Sequence, residues 1–272
     1  FPCPHCGAMT TKRSLERAWE YVHDEALRET VRRAKQVPVL INYSLGKKRY
    51  EKAPDAFDLA LIEKIEELDI PYWFPTDRMP EGDESRRNDD IGLTHVHHFY
   101  TKRNLWVLGG IRCKTRIPQC LLMFNSQLVN ISKLNRYRPE VSFPYNPLSG
   151  TLYVGSQVSE ANVLTAYENK IIRISNALYN VRCRSYLFTQ SSEHTWIASN
   201  SVDYIFTDPP FGGNLMYSEL NFLWEAWLNV FTNNKPEAIE NSVQGKGLPE
   251  YQKLMTECFK EYYRVLKPGR WM

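Results

Sequence analysis

The sequence lacks any apolar run close to the length of about 18 residues that a membrane-spanning helix needs, which excludes a helical membrane protein. Its first residues, Phe-Pro-Cys-Pro-His-Cys, hold neither a basic segment nor an apolar one, so we expect no signal peptide. The net charge is only +3 and aromatic residues make up 13% of the chain, which argues against disorder. Six scattered cysteines in 272 residues are too few for a secreted disulfide scaffold. We therefore expect a reduced, cytoplasmic protein.

The composition is that of an ordinary globular protein. Apolar residues make up 43% of the chain and charged residues 24%, and 272 residues suffice for one large or two modest domains with a sizeable core. The order of predicted helices, strands and loops indicates a domain boundary near residue 93. Residues 1–93 form the first predicted region and residues 94–272 the second, in which strands and helices alternate as in an α/β domain.

The N-terminal region begins with a zinc-type knuckle. Cys3 and Cys6 are two residues apart and Gly7 follows, a spacing that directs two thiolates at one tetrahedral ion. A structural zinc site needs four ligands, and Cys113 and Cys120 are six residues apart and do not form a second knuckle. We therefore predict half of a zinc ribbon, with its metal ligands incomplete in this chain.

Helix and turn signals divide the next part of the chain. Residues 37–52 predict a hairpin, and an apolar period predicts a helix between Pro54 and Asp69. Residues 75–93 are polar and contain glycine and proline, so we expect a long, mobile or functional loop. Thr101 is placed to cap a helix that continues to about Ile111.

Three histidines stand close together before that helix. His95, His97 and His98 would be candidates for metal ligands, but no acidic residue or cysteine follows them at helical ligand spacing. We therefore favour packing or a substrate contact over a metal site for these side chains.

Residues 101–140 form a basic segment with interleaved aromatic residues. They contain eight lysines and arginines and a single acid, Glu140. Such an excess favours a polyanion as partner, although a solvated basic face would have the same composition. The candidate DNA-binding residues are Lys102, Arg103, Arg112, Arg116, Arg136 and Arg138.

The most informative stretch is a short apolar run that ends in a proline-rich turn. Residues 202–206, Val-Asp-Tyr-Ile-Phe, predict a strand of the kind that is buried in a parallel sheet. Asp208, Pro209, Pro210 and Phe211 follow closely. The prolines stiffen the chain and leave carbonyl acceptors, the aspartate adds a carboxylate, and Phe211 adds a ring. These groups suit a planar base that carries an exocyclic amine.

This stretch resembles the Asp-Pro-Pro-Tyr/Phe motif of the DNA amino-methyltransferases, which methylate adenine N6 or cytosine N4 with S-adenosylmethionine. A helix that ends in Leu-Lys-Pro-Gly at 266–269 strengthens the resemblance, and the knuckle is similar to that of the large zinc-ribbon DNA methylases. The resemblance implies a partial Rossmann-like methyltransferase fold of the α/β class, preceded by an α+β region. It also implies that Asp208 and the Pro209 carbonyl bind the target amine, that Phe211 stacks on the flipped base, and that Asp208, Ser191 and Ser192 line the cofactor site.

One feature of that family is missing. The Gly-rich turn that holds the cofactor is not found, because Gly109-Gly110 and Gly212-Gly213 do not follow the appropriate strand. Both ends of the chain have the character of cut segments, so we expect a fragment that binds S-adenosylmethionine weakly and is inactive by itself. Adenine N6 is favoured over cytosine N4 as the acceptor. RNA or protein remains an alternative substrate, and a non-catalytic nucleic-acid-binding or assembly module remains an alternative function. The sequence does not fix the oligomeric state.

Overall fold

A computed structural model describes residues 2–3, 5–11, 14–138, 147–179 and 186–272. Cys183 and Glu140, which figured in the sequence argument, lie outside these residues. The strands are β1 (Trp19–Asp24), β2 (Glu29–Ala34), β3 (Ile41–Leu45), β4 (Lys48–Lys52), β5 (Val202–Tyr204) and β6 (Leu266–Trp271). The α-helices are α1 (Ala56–Glu67), α2 (Lys102–Lys114), α3 (Pro118–Asn125), α4 (Leu128–Ile131), α5 (Val163–Tyr179), α6 (Tyr217–Leu228) and α7 (Leu248–Val265).

Two antiparallel hairpins come first. β3 and β4 confirm the predicted hairpin, with Gly46 at a φ of 62° in the turn where a side chain would be strained. The β1–β2 hairpin was not predicted from the sequence. Its strands carry charged residues on both faces, so the period-2 apolar signal of a half-buried strand is weak.

The predicted helices α1 and α2 both begin at a side chain that caps their first backbone amides. Asp55 accepts hydrogen bonds from two amides at the start of α1, and the Thr101 hydroxyl accepts one from Asn104 at the start of α2. The two helices differ in burial. No residue of α1 is buried, whereas α2 buries Leu105 and Leu108, as the apolar period predicted for that helix.

The main core is helical. Trp227 of α6 is fully buried and contacts the rings of Tyr100, Phe124 and Trp73 edge-on. The indole N–H of Trp227 also donates to the Tyr100 hydroxyl at 3.3 Å, which satisfies a polar atom inside this aromatic cluster. The core continues across the predicted boundary at residue 93, because Met79 is buried in the same cluster.

The 75–93 segment is an irregular but packed connection. Glu219 of α6 is 1% exposed and its carboxylate accepts the backbone N–H groups of Glu84 and Ser85 at 2.8 and 2.9 Å. The Asn88 side chain is buried and bonds the backbone of Leu152 and Val154. These contacts fix the segment against the helical core, so the expectation of a mobile loop is wrong for this structure. Residues 150–155, Gly-Thr-Leu-Tyr-Val-Gly, form no strand, because side chains bind backbone groups of Leu152 and Val154 instead.

β5 and β6 form a parallel pair connected through α6 and α7. The helix α7 ends at Val265 and β6 begins at the next residue. This β–α–β arrangement fits the predicted α/β class, and the complete Rossmann-like sheet remains a prediction because the described residues place two strands in this sheet. Tyr204 and Phe206 are 63% and 85% exposed, so the expected burial of the strand is not seen. Among the described residues, no helix combines the length and the apolar character needed to cross a bilayer.

Candidate functional site

The Asp-Pro-Pro-Phe motif lies just beyond the carboxyl end of β5. Ligands of open α/β sheets bind outside the carboxyl ends of parallel strands, so the motif occupies the edge at which such sites form. Asp208 is exposed and the Phe211 ring is 62% exposed, so both side chains are accessible to a ligand.

The hydrogen-bond acceptors of the motif differ in whether another group of the protein already bonds them. The Pro210 carbonyl accepts a 2.7 Å hydrogen bond from the Tyr251 hydroxyl of α7. Within the described residues, no hydrogen bond or ion pair engages the Asp208 carboxylate or the Pro209 carbonyl. The two groups assigned to the target amine are therefore available, while the neighbouring carbonyl is fixed by the protein.

Gly212 completes the turn after the motif. It has a φ of 59°, a conformation that strains residues with a side chain. It is also buried, and a Cβ atom here would lie 3.0 Å from a carboxylate oxygen of Glu240. Both features require glycine at this position, and the turn thereby sets the direction in which the chain leaves Phe211.

The loop that contains Ser191 and Ser192 is anchored on α7 through its later residues. The backbone N–H and the hydroxyl of Thr195 donate to one oxygen of Glu261, at 2.8 and 2.6 Å. These bonds, and an ion pair with Arg264, hold the pKa of Glu261 well below its ordinary value. Tyr251 and Glu261 are ten positions apart, or about 15 Å along a helix. The structure thus holds both predicted segments on one helix, but it shows no contact between Ser191 or Ser192 and the motif.

Three of the six predicted DNA-binding residues make internal contacts. The Lys102 ammonium donates to the Glu66 carbonyl, Arg103 forms a two-point ion pair with Glu160, and the Arg112 guanidinium donates to the Trp227 carbonyl at 3.0 Å. Arg136 is half-buried and its backbone bridges to Val158, and Arg116 and Arg138 are exposed.

The Cys3–Cys6 segment has the conformation of a metal knuckle. Backbone N–H groups of His5 and Cys6 bond the Cys3 sulfur and lower the pKa of its thiol, which favours the thiolate. Gly7 has a φ of 71° and its N–H donates to the Cys3 carbonyl at 2.9 Å. The donors suit zinc, but within the described residues no third ligand joins these two sulfurs. The incomplete zinc site stays a prediction.

In comparisons with known proteins, no family model, no curated protein and no solved structure matches the chain.

Two features of the molecule were not found from the sequence. Tyr251 carries no local signal of its role, since a tyrosine on an amphipathic helix is usually a packing residue. The three histidines are close together in the sequence, but Asp24, which contacts two of them, lies more than 70 residues earlier in the chain. No local pattern connects Asp24 with them.

Proposed function

We propose that the protein is a DNA amino-methyltransferase that transfers a methyl group from S-adenosylmethionine to the exocyclic amine of a flipped base. Adenine N6 is the favoured acceptor and cytosine N4 the second. One observation carries the proposal: two free acceptors, Asp208 and the Pro209 carbonyl, lie beside the exposed Phe211 ring at the carboxyl end of a parallel strand. A cytoplasmic location is part of this proposal.

The chemistry follows from what an amine needs in order to act as a nucleophile. An exocyclic amine has two N–H donors and shares its lone pair with the ring. When the Asp208 carboxylate and the Pro209 carbonyl accept these two donors, the nitrogen is held in one orientation and its lone pair is directed away from both acceptors. The Phe211 ring supplies a face on which the base stacks, a contact worth about 1–3 kcal/mol.

The methyl donor would be supplied by bound S-adenosylmethionine. The described residues fit the amine side of such a site, because they provide acceptors and a stacking surface. A Gly-rich turn for the amino-acid end of the cofactor is not identified. We therefore assign roles only to the groups that orient the amine.

The test uses the complete protein encoded by its gene, incubated with DNA and S-adenosylmethionine labelled at the methyl group. After digestion to nucleosides, the label is expected in N6-methyladenine, and Asp208→Ala should abolish its incorporation. Asp203→Ala on β5 is a matched control, because Asp203 is an exposed carboxylate that pairs with Lys267 on the protein surface. Label in neither N6-methyladenine nor N4-methylcytosine refutes the proposal.

The same protein tests the alternatives. Incorporation into RNA or into protein, with none in DNA, assigns the motif to another acceptor. DNA binding that persists without any methylation supports the non-catalytic nucleic-acid-binding module, which the basic 101–140 segment also favours. In a separate measurement, calorimetric titration of the 272-residue chain with S-adenosylmethionine should show only weak binding. A stoichiometric micromolar isotherm would mean that the cofactor site is complete in this chain.

A further inference from the structure

The β1–β2 hairpin is attached to the helical core through a buried cluster of three side chains. Asp24, at the end of β1, contacts His97 and His98, which belong to the 3-10 helix Val96–Phe99. The Nε2 atoms of both rings lie 2.8 Å from the same carboxylate oxygen, Oδ2 of Asp24. The three side chains are only 8–11% exposed.

The donor atoms converge on one point. One carboxylate oxygen and two imidazole nitrogens all lie within 4.8 Å of one another. Such a set is typical of zinc and related transition metals, whose bonds to these atoms are about 2.0–2.2 Å long. Tetrahedral ligands at these bond lengths are about 3.3 Å apart, so each 2.8 Å contact has to open by only about 0.5 Å to admit an ion.

The surroundings hold Asp24 in place for this role. Its other oxygen, Oδ1, accepts the backbone N–H groups of Ala26 and Leu27 at 3.0 and 3.2 Å. Oδ1 is thus used to orient the carboxylate, which is the usual arrangement for a metal-binding acid, and Oδ2 remains for the ion.

Metal binding at Nε2 changes the role of Nδ1 in both histidine rings. When Nε2 binds an ion, the ring proton resides on Nδ1. Nδ1 of His97 is buried and has no hydrogen-bond partner, so the proton displaces no existing bond there. Nδ1 of His98 accepts the backbone N–H groups of Thr94 and His95 at 3.2 and 3.4 Å and lies 3.4 Å from the Thr94 hydroxyl. With its proton on Nδ1, the ring would exchange these two long contacts for a hydrogen bond to that hydroxyl.

We propose that Asp24, His97 and His98 form a binding site for a divalent transition ion of the zinc class, which joins the β1–β2 hairpin to the helical core. The site is separate from Cys3 and Cys6 and from the Asp-Pro-Pro-Phe motif. Three protein ligands leave one position of a tetrahedral site for a water molecule, and the low exposure of the three side chains limits access to it.

The experiment is a Co²⁺ titration of the 272-residue chain in a Cys3→Ser, Cys6→Ser background, which removes the thiolates that would otherwise bind cobalt. We expect one equivalent of Co²⁺ to bind, with visible d–d bands and no sulfur charge-transfer band. Asp24→Asn keeps the acceptor for the turn amides but replaces the ligand oxygen, and it should weaken Co²⁺ binding at least tenfold. His98→Gln should do the same. His95→Gln is the matched control, since the His95 ring is near the cluster but contributes none of its ligand atoms.

A second measurement needs no substitution in the cluster. In the same Cys3→Ser, Cys6→Ser background, Zn²⁺ should shift the ¹⁵N resonances of two histidine Nε2 atoms into the range of metal-bound nitrogen. It should also raise Tm by about 3 °C or more and slow proteolysis in the 25–28 turn. The absence of Co²⁺ uptake in folded protein, or uptake that Asp24→Asn and His98→Gln leave unchanged, overturns the proposal and leaves a hydrogen-bonded Asp–His cluster.

Discussion

The Tyr251 hydroxyl donates a 2.7 Å hydrogen bond to the carbonyl oxygen of Pro210, in the middle of the Asp-Pro-Pro-Phe motif. Tyr251 lies in the first turn of α7, and its bond crosses 41 positions of sequence. Pro209 and Pro210 have no backbone N–H to donate in regular strand pairing, and a side chain from a separate element bonds the Pro210 carbonyl. The orientation of the free Pro209 carbonyl, one peptide earlier, depends on this contact.

Tyr251→Phe tests the importance of this orientation. The variant loses one hydrogen bond worth about 1 kcal/mol, so methyl transfer by the complete protein should slow about fivefold. Tyr263→Phe is the control, because Tyr263 lies on the same helix and is 85% exposed. Steady-state rates with labelled S-adenosylmethionine give the comparison, and equal rates for both variants would show that the contact does not position the motif.

Glu219→Gln tests the buried carboxylate that holds the 75–93 segment. The Glu219 carboxylate accepts from two backbone amides and, at 3.0 Å, from the Asn241 side chain, whereas an amide can present only one acceptor atom. We expect a loss of about 1–3 kcal/mol in the free energy of unfolding, measured by urea denaturation. Glu257→Gln, at an exposed ion pair, should change it by about 0.5 kcal/mol or less. Similar values for the two variants would contradict the assignment.

The buried side chain of Lys133 should make the free energy of unfolding depend on pH. It is 7% exposed, and burial lowers the pKa of its ammonium from 10.5 to about 8. The unfolded chain therefore binds this proton more tightly than the folded one, and the resulting destabilisation, on the order of 2 kcal/mol, is present below pH 8 and disappears as the pH rises toward 10.5. Lys133→Met should remove this contribution. The stability difference between wild type and variant should change between pH 7 and pH 9.5, and a constant difference would refute the prediction.

Arg116 and Arg138 test the proposed DNA contact of the basic segment. Both side chains are exposed, so charge reversal should leave the fold intact. We expect the double variant Arg116→Glu, Arg138→Glu to bind DNA more weakly and to reduce the slope of log K against log salt by about 2. Lys47→Glu, an exposed charge reversal in the β3–β4 turn, is the control. An unchanged affinity and slope would exclude this segment as the DNA surface.

Local sequence alone determined the helices and turns that depend on capping residues and glycines. The α2 helix begins where Thr101 can accept an amide hydrogen bond, and the β3–β4 hairpin turns at Gly46 because glycine adopts a positive φ without strain. The motif lies at a strand end because Pro209 and Pro210 lack the backbone N–H groups that strand pairing needs.

Only the tertiary structure decided which distant groups meet. Tyr251 and Pro210, Glu219 and the Glu84 amide, and Asp24 with its two histidines are pairs separated by 41 to 135 positions. No spacing rule connects such residues, because their contact depends on how helices and hairpins pack rather than on the period of any one element. The mobile loop predicted at 75–93 failed for the same reason. Its polar residues indicated solvent, but a buried carboxylate on α6 satisfies its backbone amides inside the core.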